Sequence, residues 1–119
     1  MKYLLMIYTD PTAPAGTPEE QGAMTAEYGV FTQEIVESGE LLAGERLQDP
    51  ETATSVRVRD GRTVTTDGPF AETREFLAGF YMVDAPDLDR ALALAARIPG
   101  ARTGTVEVRP IFDMADLMG

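Results

Sequence analysis

The chain predicts an α+β fold: a ferredoxin-like split β-α-β pattern with an inserted β-hairpin, its antiparallel sheet carrying two helices on one face. Three observations lead there. The runs 3–8 and 76–83 are apolar at consecutive positions, as strands buried on both faces are. Each is followed by an amphipathic helical segment with clear start and stop signals. Between them, two alternating segments flank Asp60-Gly61, a dipeptide that favours a tight hairpin turn.

The elements follow in order. Tyr3 to Tyr8 is the first strand. Residues 9–18 hold three prolines and a glycine and read as a loop. Thr17-Pro18-Glu19-Glu20 then places a hydroxyl at the N-cap, proline at the first helical position and Glu at N3, the capping-box arrangement. Met24, Tyr28, Phe31 and Ile35 recur at helical spacing and form one apolar stripe. Gly39 is placed to end that helix in a left-handed turn.

Leu41 to Leu47 is a strand interrupted by Gly44. Thr54 to Arg59 and Arg62 to Thr66 make the hairpin, with Val56, Val58 and Val64 at its apolar positions. Phe76 to Val83 is the next strand, with Gly79 in its middle. A second helix opens at Asp84-Ala85-Pro86-Asp87. Leu88, Leu92 and Ala95 mark its expected stripe, flanked by Leu94 and Ile98, and Pro99-Gly100 closes it. Thr105 to Arg109 is the last strand. Residues 1–112 are expected to form one domain and 113–119 a tail.

Two helices cover only one face of such a sheet. The other face keeps apolar side chains from both central strands, and a large bare apolar patch usually marks an interface. A two-fold homodimer, sheet against sheet, is the expected assembly.

Composition removes whole classes of chemistry. Cysteine and histidine are both absent from the 119 residues. Disulfides, thiolate nucleophiles, a Ser-His-Asp triad and zinc sites with nitrogen or sulfur ligands are therefore excluded. A metal would need oxygen ligands, and no calcium-loop spacing is present. No cofactor motif appears: the glycines at 100 and 104 follow a helix instead of preceding one. Twenty acidic against ten basic residues give a net charge of −10, which disfavours nucleic acid. No apolar run approaches a membrane span. The N-terminus reads as a strand, not a signal peptide, and the expected location is cytoplasmic.

The stretch Asp67-Gly68-Pro69-Phe70-Ala71-Glu72-Thr73-Arg74, with Val64 to Thr66 before it, resembles the signature of DGPF-type proteins of the YCII-related family. Met1 to Tyr8, Leu42 to Leu47, Gly79 to Val83 and Val106 to Pro110 are similar to that family as well. The resemblance implies a dimeric α/β barrel built from two ferredoxin-like subunits, in agreement with the dimer argued from the two-sided strands. It also implies a regulatory setting, since genes of DGPF-type members often neighbour those of extracytoplasmic-function sigma factors, so a sigma factor is a partner by resemblance only. YCII proteins carry a histidine and an aspartate as a catalytic pair. This chain has no histidine, and only Asp67 matches the aspartate.

Residue chemistry allows two readings of the motif. Gly68-Pro69 makes a tight turn, Asp67 can accept from the amides that follow, and the whole can be a structural corner. Alternatively, the turn holds Asp67 at a pocket mouth as a general acid or base. Arg74 then binds a carboxylate or an enolate oxygen, and Thr73 donates a hydrogen bond. Tyr8 and Tyr81, on the central strands, and Glu45, in the second strand, complete the substrate-binding candidates. Arg46 suits either an edge-strand charge or an anion binder.

Two function classes head the expectation: a small cofactor-independent enzyme using acid/base chemistry on a compact organic acid, and a ligand-sensing or partner-binding dimer without catalysis. A purely structural dimer is the third.

Overall fold

The computed structural model describes residues 1–69 and 74–117. Six strands and two helices follow in the order β1 (Lys2–Thr9), α1 (Pro18–Glu37), β2 (Leu41–Arg46), β3 (Thr54–Arg59), β4 (Arg62–Asp67), β5 (Phe76–Asp84), α2 (Leu88–Arg97) and β6 (Thr105–Pro110). Short 3-10 turns occupy Pro50–Thr52, Pro99–Arg102 and Met114–Leu117. Four strands make an antiparallel sheet in the order β2-β5-β1-β6, and β3 and β4 form a separate two-stranded sheet. The fold is α+β and ferredoxin-like.

Local signals produce these boundaries. Thr17 accepts from the Glu20 amide through Oγ1 at 3.1 Å, and Pro18 needs no partner for an amide hydrogen it lacks. At the other end of α1, Gly39 takes φ +79°. Its amide donates to the Val36 carbonyl at 3.1 Å, and the Glu40 amide donates to Ile35 at 3.0 Å. This double closure turns the chain back into β2 and needs a residue free to adopt positive φ. Asp60 and Gly61, both at positive φ, make the hairpin turn. Asp87 caps α2 by accepting from the Arg90 amide at 2.9 Å.

Register separates the sheet into two faces. Leu41–Val83–Tyr3–Pro110, Gly44–Tyr81–Leu5–Val108 and Arg46–Gly79–Ile7–Val106 are cross-strand rows on the helix side. There Tyr3, Leu5, Ile7 and Val83 pack with Phe31 and Ile35 of α1 and with Ala91, Leu94, Ala95 and Ile98 of the α2 segment. Each large side chain removed from water in this layer contributes about 1.5–3 kcal/mol before entropy is subtracted. The other face shows Leu4, Met6 and Tyr8 beside Phe80 and Met82, all half-buried. Among the described residues, then, the central strands are covered on one face only. A bulge between Ile7 and Tyr8 shifts the pairing so that Tyr8 opposes Leu77.

The α2 stripe differs from expectation. Ala91, Leu94, Ala95 and Ile98 are buried, while Leu88 and Leu92 are 46% and 47% exposed. Positions 91, 94, 95 and 98 also have helical spacing. The two alanines let α2 approach the sheet closely, and Leu94 and Ile98 fill the space beside them. The Leu88–Leu92 edge is turned outward.

The β3–β4 hairpin stands away from this body. All its residues except Ser55 are exposed. The molecule measures 50 × 48 × 19 Å with a radius of gyration of 16.7 Å. A compact domain of this length would have about 13.5 Å.

Candidate functional site

One end of the four-stranded sheet gathers most of the chemistry. On the helix side, the row Arg46–Gly79–Ile7 lies next to the row Gly44–Tyr81–Leu5. Two of these six positions are glycines, and each is closely covered, Gly44 by the Tyr81 ring and Gly79 by the β2 backbone at Glu45 and Arg46. A Cβ on Gly44 would stand 2.9 Å from the Tyr81 ring, and one on Gly79 would stand 2.7 Å from the Glu45 carbonyl oxygen. Neither position has room for a side chain as it stands.

Helix α1 supplies the opposite wall through Tyr28, Phe31 and Thr32. The Tyr81 hydroxyl lies 2.8 Å from Thr32 Oγ1, and its ring meets Phe31 edge-on with centroids 5.5 Å apart. Tyr28 is tied to the turn after α2, where its hydroxyl accepts from the Gly100 amide at 3.1 Å. Gly100 is required there, since a Cβ would come within 2.7 Å of that hydroxyl and 3.0 Å of Ile7. Burial pushes the Tyr28 phenol above its ordinary pKa, while the Gly100 amide and the charges of Arg102 and Arg46 pull the other way.

Two arginines bear on this region. Arg102 pairs with Glu27 at 2.9 Å. Arg46 forms no ion pair among the described residues. Tyr28 has accepted a hydrogen bond, and among the described residues its own proton has no acceptor. A hollow of about 390 Å³ is lined by Arg46, Leu47, Gln48, Asp49 and Thr52. A guanidinium, a phenol proton and a hydroxyl pair can together hold and polarise a small oxygen-bearing anion.

The motif approaches the same end. Asp67 closes β4 opposite Thr54, with an exposed side chain. The Gly68 amide donates to the Ala53 carbonyl at 2.7 Å, and Ser55 Oγ donates to the Gly68 carbonyl at 2.8 Å. Thus the turn is held by β3, and Gly68 takes φ +95°. Arg74 lies near enough to Asp10 for its charge to help lower that carboxyl, after the hydroxyl and amide of Thr12 that bond it directly. Glu75 accepts from Thr105 at 3.2 Å, which fixes the start of β5 against β6. Asp67 and Arg74 share no hydrogen bond or ion pair among the described residues. Phe70, Ala71, Glu72 and Thr73 lie outside those residues, so the placement of Thr73 is not described.

The remaining candidates divide between the faces. Tyr81 is on the helix side. Tyr8 and Glu45 are on the bare side, where Tyr8 reaches the Met6 sulfur at 4.0 Å and Glu45 sits opposite Phe80 with its side chain exposed. Tyr28 and Thr32 bring α1 hydroxyls to Gly100 and Tyr81 although the α1 stripe reads simply as core. The available signal was the pair of hydroxyls one turn apart on a helix facing two strand glycines.

Comparison with known proteins places the chain. A YCII-related domain profile matches residues 1–115. An uncharacterized protein of Rhizobium meliloti (strain 1021) is 37% identical over 114 residues, which is 93% of this chain and 92% of that one. Among solved structures, a 5-chloro-2-hydroxyhydroquinone dehydrochlorinase from Burkholderia phenoliruptrix AC1100, in complex with 2,5-dihydroxybenzoquinone, superposes with a TM-score of 0.53. That match covers 98% of each chain at 9% identity, and so concerns the fold alone. The β-α-β frame, the bare sheet face and the profile match over 1–115 together make this chain a member of the YCII-related family.

Proposed function

We propose that this protein is a small-molecule enzyme that acts on a compact organic acid by acid/base chemistry from its own side chains. One observation carries the reading: Arg46, without an acidic partner among the described residues, lies within electrostatic reach of a Tyr28 hydroxyl whose proton has no described acceptor. A ligand carboxylate would take the guanidinium, and the phenol would donate to a ligand oxygen. The Tyr81–Thr32 pair would orient the bound molecule. Asp67 would serve as acid or base, with Arg74 as a further binding group at the same sheet end and Thr73, by its residue chemistry alone, as another. The likeness in fold to a dehydrochlorinase supports small-molecule chemistry on this scaffold.

In this reading the functional unit is a homodimer joined through the bare face. Leu4, Met6, Phe80 and Met82 form its apolar centre, with Tyr8 and Glu45 in the seam.

The test is a thermal-shift titration with benzoate, salicylate and succinate. At least one should stabilise the wild type, and Arg46→Ala and Tyr28→Phe should both reduce the shift. NMR of the bound acid over time then separates turnover, lost in Asp67→Asn, from binding without chemistry, which is the ligand-sensing alternative. Equal shifts in wild type and Arg46→Ala would refute the site.

A further inference from the structure

Four polar side chains share the helix side of the sheet, and their protons can be counted. Tyr28 and Thr32 stand one turn apart on α1. Gly44 pairs with Tyr81, and Arg46 lies two positions further on the same face, so Arg46 is a diagonal neighbour of Tyr81. The Tyr28 hydroxyl and the Ile7 side chain both lie within 3.0 Å of where a Gly100 Cβ would stand. Tyr28 therefore reaches the Arg46–Gly79–Ile7 row from above.

The Tyr28 oxygen has accepted from the Gly100 amide at 3.1 Å, and its proton is left to give away. Thr32 and Tyr81 hold two protons and share one bond of 2.8 Å, so one proton of that pair is left over too. Arg46 brings donors only. Among the described residues no carboxylate or backbone carbonyl accepts from any of the four. The unmet groups are donors in excess.

We infer that this site selects 2-oxo acids: Arg46 takes the carboxylate, and the neighbouring carbonyl oxygen accepts from Tyr28 and from the Tyr81–Thr32 pair. The inference rests on the organic-acid reading above and names its substrate class. A carbonyl oxygen has two lone pairs and no proton, which matches two spare hydroxyl protons. The corresponding 2-hydroxy acid brings a further proton to the same point, where no carboxylate or carbonyl is described to receive it. A plain carboxylic acid has no second oxygen there and leaves donors unmet, which costs more than an ordinary hydrogen bond gains. Burial holds the Tyr28 phenol above its ordinary pKa, so it keeps its proton at neutral pH. The proposed chemistry agrees, since acid/base catalysis from side chains suits a C–H bond made acidic by an adjacent carbonyl.

Isothermal titration calorimetry would compare matched pairs that differ at this oxygen: pyruvate with lactate, 2-oxoglutarate with 2-hydroxyglutarate, and phenylglyoxylate with mandelate. Wild type should bind at least one oxo acid about tenfold more tightly than its hydroxy partner. Tyr28→Phe, with folding confirmed by circular dichroism, should lose most of that preference. Arg46→Ala should weaken both members of the pair alike. Equal affinity for the two members in wild type, or tighter binding of the hydroxy acid, with both weakened in Arg46→Ala, would overturn the 2-oxo preference and leave the organic-acid site standing. A preference that survives unchanged in Tyr28→Phe would also overturn it. If benzoate, salicylate or succinate binds and no oxo acid does, this inference fails alone. If none of these acids binds, the site fails with it.

Discussion

The hydroxyl of Tyr81 lies 2.8 Å from the hydroxyl of Thr32. This contact joins the strand next to the sheet edge to the middle of α1. It spans the helix–sheet layer where the Tyr81 ring packs over Gly44, and it fixes that ring against Phe31. Packing and site chemistry thus share one side chain.

Tyr81→Phe keeps the ring and removes the hydroxyl. It leaves the Thr32 hydroxyl half-buried without this partner, so the expected loss is about 1 kcal/mol in urea unfolding. Ligand affinity should fall as well. Thr32→Val should lose a similar amount, and the double variant should lose less than the sum, since both remove the same bond.

The two floor glycines should respond differently to alanine. At Gly79 the new methyl meets the Glu45 carbonyl, a backbone atom held by strand pairing, and the cost should be about 2–3 kcal/mol. At Gly44 it meets the edge of the Tyr81 ring, which can shift slightly, and about 1 kcal/mol is expected. Chemical denaturation of both variants gives the order. A cost for Gly44→Ala above that for Gly79→Ala would contradict the register.

Acid should weaken the α1–α2 edge through Glu40. The Arg90 guanidinium accounts for most of the fall of the Glu40 carboxyl to about 2 from its ordinary 4.5, with Ser38 helping. A carboxyl with a depressed folded-state pKa stabilises fully above its unfolded value. That contribution is lost as pH falls from about 4.5 toward 2. Wild type should therefore lose stability across this window, and Glu40→Gln should lose less. Parallel curves for the two proteins would remove the role assigned to the pair.

Local chemistry made part of this structure legible in the sequence. The Thr17 cap, the Gly39 stop and the Asp60-Gly61 turn each depend on a few adjacent residues, and each appears as read. The bare sheet face was legible too, because two strands had no polar side to offer. The hydroxyl cluster between α1 and the sheet was not. Tyr28 and Thr32 meet Tyr81 and Gly100 only through the helix–sheet crossing, and the pairing shifts at Ile7/Tyr8 and Leu41/Ala43 decide which side chains share a face. A sequence read along one strand cannot supply those shifts, so Tyr8 and Glu45 were grouped with Tyr81 although they point the other way. In α2, two stripes had nearly the same period, and the smaller residues took the inner one because they allow closer approach.

The proposed site holds a small organic acid between Arg46, Tyr28 and Tyr81, and a titration of ¹⁵N-labelled protein with the best-binding of benzoate, salicylate and succinate probes it. The amides of Gly44, Gly79, Tyr81 and Gly100 should shift together and saturate, and Arg46→Ala should weaken binding about 10- to 100-fold. Saturating shifts that avoid these four amides, or the same affinity in Arg46→Ala, would contradict it.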